Sequence, residues 1–379
     1  MRIFENLNVD FLGKRKFFYV ISGTLFLFGL INIVFRGLEF GVDFKGGSEI
    51  VLQFSKQVDI SNIRDNVKNI GLEDAEVKTF GGETGVLIRT ELQEIPREVY
   101  PRIVSDIEKT INDNFPGLEK RVIDSTSSSI TYQLPNPDTT DRLVEILNEE
   151  GFEAAEASVE LDNRQIIVSV GIADWIEENL RESMPDNPFE VLKEDKVGPK
   201  VGSELKEDAV IALFLSLVVI LIYLGFRFKF VFALGAVMSL FHNVLITLGL
   251  FSILYNVIPG LNLEIDLTIV AAFLTLIGYS INDTVVIFDR IRENMKIHKT
   301  LPLFDVINMS VNKTMSRTVL TGGTTLLTLL VLTIFGGEVL RAFAFTLFFG
   351  IIIGTYSSIF VAGALVYEYV SRSKKKVQF

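Results

Sequence analysis

Asp283 is the one acidic residue lying well inside a long apolar run of this sequence, in the segment Gly278-Tyr-Ser-Ile-Asn-Asp-Thr284. A carboxylate in hydrocarbon costs on the order of 2.5–3.5 kcal/mol on insertion scales, so such a group faces protein or water and usually performs a task. Desolvation disfavours its charged form until a cation approaches. The chemistry that suits a lone carboxyl is accepting and releasing a proton. Arg317 stands at the entry of the next apolar run, at comparable depth, and a guanidinium does not give up its proton. A proton arriving on Asp283 would free Arg317, which makes the two a switch. Plainer explanations stand beside this one: a helix-end carboxylate reaching interfacial water, and an arginine anchoring a helix on its cytoplasmic side. Asn282, Ser280, Thr284 and Thr321 line a polar path between the two runs or glue their helices together, with Gly322 and Gly323 allowing close approach. His242, beside Asn243 in another run, is a proton relay or a hydrogen-bonding strut. Glu264 and Asp266 flank the Asp283 run and are expected in water.

These side chains need helices to hold them, and six apolar runs are long enough to cross a bilayer: Phe17–Phe35, Ala209–Phe226, Phe230–Leu254, Leu267–Phe288, Val319–Phe335 and Ala342–Val366. The first is too long for a signal-peptide core and has no small-x-small cleavage site after it, so it is expected to stay as an anchor. Asp283, 16 residues past Leu267, lies about 24 Å along its helix, in the cytoplasmic third. Basic residues set the orientation. Arg2, Lys14, Arg15, Lys16, Arg227, Lys229, Arg290, Arg292, Lys296, Lys299, Lys313, Arg317, Arg372 and Lys374 to Lys376 flank one set of helix ends, whereas the short loops at the opposite ends, Tyr255–Asp266 and Gly336–Arg341, hold Arg341 alone. Both termini are therefore expected in the cytoplasm. The block between the first two runs, residues 36–208, is expected outside.

That block has a composition of its own. It carries 37 acidic against 19 basic residues, whereas the rest of the chain carries 10 against 17. So acidic a block is a poor ligand for nucleic acid, which rewards clustered lysine and arginine. The chain has no cysteine, which removes disulfides, thiolate metal sites and cysteine nucleophiles together. Within the block, alternating and helical periods predict strand Val51–Phe54, helix Ile60–Ile70, and a strand pair Ala75–Phe80 and Gly85–Thr90 around Gly81-Gly82. The order recurs as strand Ser129–Gln133, helix Thr140–Glu150, and strands Ala155–Leu161 and Gln165–Val170 around Asp162-Asn163. A helix follows each set, near Val99–Asn112 and Ala173–Arg181. This is either a βαββ-type duplication or a coincidence of a common element order. Pro185–Gly202, with three prolines, reads as a linker.

Phe40-Gly-Val-Asp-Phe-Lys-Gly-Gly-Ser48 follows the first apolar run. Its paired glycines suit a tight turn into a strand, and its spacing fits neither a Walker loop nor a dinucleotide fingerprint. No cofactor, metal cluster or activated nucleophile is expected, so the chain is read as no enzyme. Energy must come from an ion gradient or a partner, and one charge moved through 100 mV is worth about 2.3 kcal/mol.

Four segments together resemble the SecF family, the partner of SecD in bacterial Sec protein export and a relative of the resistance-nodulation-division transporters. They are Gly41-Val-Asp-Phe-Lys-Gly-Gly47, Val197-Gly-Pro-Lys-Val-Gly-Ser-Glu-Leu205, the run from Gly278 to Asn294, and Ser316-Arg-Thr318. The resemblance implies a polytopic inner-membrane protein of six transmembrane helices with a periplasmic α+β domain, both termini cytoplasmic. It implies SecD, the SecYEG translocon, the exported unfolded polypeptide and membrane lipid as partners. It further implies that Asp283 is the proton-relay aspartate, that Arg317 is its functional arginine, and that Gly41, Asp43, Gly46 and Gly47 form a structural motif. The outer block looks larger than the single α/β unit usual in that family, so a second copy, about Ser129–Arg181, would be an insertion.

Overall fold

The computed structural model describes residues 7–92, 95, 100–126, 129–149, 152, 154–158, 164–169, 171–255, 257–258 and 261–373. It divides into two units, Val42–Glu204 and the pair of segments Met1–Gly41 and Leu205–Phe379. Arg2, Val99, Glu150, Leu161, Asp162, Asn163, Val170 and Lys374 to Lys376 lie outside the described residues.

The chain opens with helix α1 (Arg15–Arg36), an unbroken apolar cylinder. The polar unit then begins at a single turn, α2 (Val42–Lys45), and runs through β1 (Gly47–Phe54), α3 (Ile60–Asn69), β2 (Glu76–Thr79), β3 (Gly85–Thr90), α4 (Tyr100–Asn114) and β4 (Arg121–Ser125). It continues with β5 (Ser129–Gln133), α5 (Pro137–Glu149), β6 (Ala154–Glu156), β7 (Gln165–Ser169), α6 (Ile172–Ser183) and β8 (Phe189–Val197). A βαββαβ order thus occurs twice, with strands and helices close to those expected from periodicity, except that β6 ends at Glu156 where a strand running on from Ala155 to Leu161 is expected. Asp59 accepts from the Ser61 N–H to start α3, and Asp174 accepts from the Gly171 N–H at 2.8 Å to start α6. Both are carboxylates satisfying orphan donors of a first turn.

The strands form two four-stranded antiparallel sheets, ordered β2-β3-β1-β8 and β4-β5-β7-β6. Each sheet has the strand order of a ferredoxin-like βαββαβ unit, yet the last strand of each copy sits in the other sheet. β8, at the end of the second copy, pairs with β1 from Gly47↔Val197 to Phe54↔Phe189. β4, at the end of the first copy, pairs with β5. The preceding helices follow their strands, since α6 packs on α3 and β1 and α4 packs on α5. The duplication is thus present, and the two copies have exchanged a helix and a strand. One hydrophobic core runs through both, from Ile50, Leu52 and Ile63 to Ile107, Tyr132, Leu143, Ile166 and Trp175.

One expectation fails here, and one strand goes unforeseen. Pro185–Gly202 is not a linker: Pro185 and Pro188 precede β8, and Pro199 opens the helix after it, where a missing N–H is harmless. β4 also gives no sequence signal. Both are edge strands, nearly all polar or exposed (Arg121-Val-Ile-Asp-Ser125 is exposed throughout), and edges carry charge to discourage pairing with other chains.

The remaining elements are apolar. They comprise α7 (Pro199–Arg227), α8 (Phe230–Leu254), α9 (Leu267–Ile297), α10 (Leu303–Phe335), α11 (Gly337–Ser357), a π-helical turn at Ser358–Ala362, and α12 (Gly363–Ser373). The last three form one span, so among the described residues six helices are long and apolar enough to cross a bilayer. In α9 and α10 the helix outruns the apolar stretch, to Ile297 rather than Phe288 and from Leu303 rather than Val319. The extensions bury Ile291, Asn294, Val306, Ile307 and Val311, so the basic stretch between these two apolar runs is mostly helix.

Two acids in α6 make the polar unit sensitive to pH. Burial, with Asp174 and Glu194 nearby and Arg181 opposing, pushes Glu177 up to about 7. Burial, with Asp106, Glu182 and Asp174 nearby and Arg102 opposing, does the same to Glu178, again to about 7. Each carboxyl holds its proton more tightly folded than unfolded, where 4.5 is its ordinary value. Their stabilisation is therefore full below about pH 4.5 and lost as pH rises through about 7. The urea midpoint followed by the single tryptophan, Trp175, should fall across that window, and Glu177→Gln with Glu178→Gln should flatten the slope.

A second measurement concerns β1, whose Glu49 faces Arg89 of β3 directly across the sheet. Both side chains are buried, and Arg89 Nε donates to Glu49 Oε2 at 3.0 Å. Removing Glu49 leaves the buried guanidinium with only the more exposed Glu76 carboxylate, 3.6 Å away, so Glu49→Ala should cost about 1–3 kcal/mol in the same urea experiment.

Candidate functional site

Asp283 lies in the middle of α9 and is only 9% exposed. α9 packs against α8, α10 and α11, and its buried face carries Leu276, Ser280, Asp283, Thr284 and Ile287 at helical spacing. The carboxyl accepts a long hydrogen bond, 3.4 Å, from the Thr318 hydroxyl of α10. Thr318 is itself buried. Arg317, the residue before it, points to the exposed side and makes no ion pair among the described residues. Its charge acts on Asp283 from beyond ion-pair distance. The direct pair expected from sequence is therefore open in this structure, because neighbours on a helix diverge by about 100° and Thr318 takes the inward position.

The polar neighbours sort by the same rule. Ser280 and Thr284 are buried with Asp283, and Thr284 donates to the Ser280 carbonyl at 3.3 Å. Asn282 and Thr321 fall on the exposed side, where the Thr321 carbonyl accepts from Tyr279 at 3.2 Å. On α8, Asn243 Nδ2 donates to Ser280 Oγ at 3.4 Å, and its own carbonyl oxygen lies 3.2 Å from His242 Nδ1. The other ring nitrogen of His242 is buried without a partner among the described residues. Sequence reasoning misses the α11 contribution. Ser239 donates to Ser357 at 2.9 Å beside the π-helical turn, a feature that recurs at functional sites. The signal available is the serine pair Ser357-Ser358 within an apolar run.

Close approach comes from glycines other than those expected. A Cβ added at Gly354 of α11 would stand 2.2 Å from Ser280 Oγ, and one at Gly350 would stand 2.5 Å from Leu276. At Gly323 it would meet nothing within 4 Å, and at Gly322 only Thr355 at 3.7 Å. It is α11 that seats against the Asp283 turn of α9, so its glycines do the work assigned to α10. Glu264 also departs from expectation: it is buried, 6% exposed, in the loop that binds the chain after α1 through Gly41 N–H to Ile265 O at 2.9 Å. Asp266 caps α9 by accepting from the Ile269 N–H.

The glycine motif is built on backbone. Gly46 and Gly47 have φ of 78° and 117°, open only to glycine without strain. A Cβ on Gly47 would lie 2.3 Å from the Thr90 carbonyl oxygen, and one on Gly46 would lie 2.7 Å from Pro199 Cα. The turn thereby seats the start of β1 against β3 and the Pro199 segment. Asp43 occupies α2, and Gly41 approaches the side chain of Asp266.

Six apolar helices, a carboxyl among hydroxyls on the fourth, and a polar α+β unit inserted after the first define a multi-pass membrane protein. Residues 176–372 match the family model for the C-terminal part of the protein export membrane proteins SecD and SecF, and residues 31–58 match the SecD/SecF GG motif. The chain is 41% identical over 373 residues to the protein translocase subunit SecF of Rhodothermus marinus, covering 98% of this chain and 97% of that one. It is 37% identical to that of Koribacter versatilis, covering 97% and 93%. Among solved structures it resembles the crystal structure of SecDF, a translocon-associated membrane protein from Thermus thermophilus, with a TM-score of 0.62 and 26% identity. That match covers 97% of this chain and 39% of the SecDF chain, so this chain spans about two fifths of its length. The chain belongs to the SecF family, and its role is in protein translocation at the inner membrane. The curated relatives match along nearly their whole length, so the doubled polar unit is shared with them and is no insertion peculiar to this chain.

Gly47→Ala tests the motif, with Gly82→Ala as control. Gly82 also has positive φ, 137°, but an added Cβ there meets nothing within 4 Å. The strain is common to both, about 1–3 kcal/mol. Gly47→Ala should lower the Trp175 urea midpoint further, because it alone also displaces β3.

Proposed function

We propose that this chain works with SecD beside the SecYEG channel, using the proton-motive force to promote late steps of translocation. Asp283 is the group that carries the proton, and the polar unit lies outside, where it holds or draws the emerging polypeptide. Both termini are cytoplasmic. The chain performs no covalent chemistry of its own. What carries this reading is the setting of Asp283: a carboxyl held in the helix core by a hydroxyl at 3.4 Å rather than by a cation. Protonated, it leaves Arg317 in its exposed position. Ionised, it would draw the guanidinium inward, since an uncompensated carboxylate in that core is costly.

A partner is supported by the opposite face of α9. Thr268, Ala271, Thr275, Gly278 and Asn282 are all exposed there at helical spacing, and small residues let helix backbones approach closely in lipid. SecD fits that face, consistent with the SecDF chain being more than twice as long as this one.

Asp283→Asn in cells and in proteoliposomes holding SecD and SecYEG separates relay from brace. The relay predicts loss of gradient-stimulated precursor export, with the complex still assembled. Unchanged gradient dependence would leave a structural subunit, with SecD carrying the proton alone. Arg317→Lys, which keeps the charge, should retain more activity than Arg317→Ala.

A further inference from the structure

Where α1, α8 and α12 meet at their basic ends, a groove of about 770 Å³ opens in the flank of the helix bundle. Its floor is apolar, with Val231, Leu234 and Met238 of α8 and Leu365 of α12, and Met238 and Leu234 are well exposed in it. This face needs a hydrocarbon occupant in a bilayer. Its mouth is charged, with Lys16 of α1 and Arg372 of α12.

The charges there do not cancel. Glu368 is the one acid lining the groove, and it is already engaged by two arginines, accepting from Arg15 Nε at 2.9 Å and lying 3.7 Å from Arg372 Nε. Arg15 also stacks over the Tyr367 ring, 4.9 Å to its centre. Lys16 has no ion pair among the described residues, so three cations face one carboxylate. Tyr19 lines the same groove, and its hydroxyl is buried without a hydrogen-bond partner among the described residues. A buried donor left unmade is costly. Simple anchoring at the membrane surface would explain Lys16 and Arg372, since long basic side chains snorkel. It does not explain the apolar groove that opens beside them.

We propose that this groove binds one anionic phospholipid. An acyl chain lies along Leu234 and Met238, and the phosphate sits between Lys16 and Arg372. Such a lipid bridges the first and last spans, and α12 follows directly from the π-helical turn beside Ser357, so occupancy steadies the end of the bundle that seats α11 on α9. The proposal does not depend on Asp283 carrying a proton.

The full chain in phosphatidylcholine vesicles, with and without a photoreactive phosphatidylglycerol, provides the test. The expected adducts map to peptides containing Met238 or Tyr369. Unlabelled phosphatidylglycerol should displace them, whereas phosphatidylcholine and inorganic phosphate should not. Lys16→Ala and Arg372→Ala should each weaken apparent affinity about fivefold, the equivalent of about 1 kcal/mol per basic residue near a membrane surface. Met238→Trp alters no charge and fills the floor, and should abolish the adduct, so it carries the test if a charge variant lowers the thermal midpoint in phosphatidylcholine alone. Equal displacement by phosphatidylcholine, displacement by phosphate alone, or undiminished labelling of Met238→Trp would overturn the proposal. So would a photoreactive residue at Tyr369 that captures SecD rather than lipid in the assembled complex.

Discussion

A carboxyl group inside an apolar helix bundle has to be given polar company or give up its charge, and the membrane unit is arranged around that constraint. Asp283 could have been neutralised by a lysine or arginine at ion-pair distance, which would have fixed its protonation state. Instead its contact is the Thr318 hydroxyl, a group that can donate to a carboxylate or to a carboxylic acid carbonyl alike. A hydroxyl neighbour tolerates both states, and a cation tolerates one. Glycines on α11 follow from the same constraint. Ser280 sits one turn before Asp283, and only a residue without Cβ lets α11 close over it. The band continues through Asn243 and Ser239 to the π-helical turn, so polar groups on three helices satisfy one another in a region where water is scarce.

Much of this is legible in the order of residues alone. Hydropathy marks all six spans because a bilayer demands about twenty apolar residues in a row, and Asp283 stands out because such runs exclude charge. The pairing of Asp283 with Arg317 is less legible. Depth along a helix can be counted from sequence, but azimuth depends on how the helices are rotated. A rotation of one residue exchanges Arg317 for Thr318. The close-packed glycines escape sequence reasoning for that reason also, since glycines 322 and 323 of α10 and 350 and 354 of α11 are equally good candidates until the neighbour of α9 is known. Charge alone assigns Glu264 to water, and the loop that buries it is ordered by backbone pairing with the segment after α1, which leaves no periodic trace.

In the polar unit the interior strands announce themselves and the edges do not. β3 and β5 match their expected limits because β3 is buried throughout and β5 alternates. β4 and β8 carry little apolar pattern because one side of each has no neighbour, and yet those two strands decide the architecture. By crossing into the other copy's sheet, each makes the two halves share a single core rather than pack as separate beads. A duplication read as two tandem units would suggest two independently movable bodies. The exchange says otherwise, since neither sheet is complete without a strand from the other copy.

That exchange bears on what a translocation subunit needs. A unit built from two copies must not open at its own internal seam. A seam crossed by two hydrogen-bonded strands and two packed helices resists separation better than a surface contact of equal area, because opening it breaks backbone ladders rather than side-chain packing alone. The acids of α6 refine the point. Glu177 and Glu178 lie on the exchanged helix itself, and burial holds both near 7, so the helix that locks the seam is tightest where protons are plentiful. Loss of those two protons would weaken the helix that locks the seam.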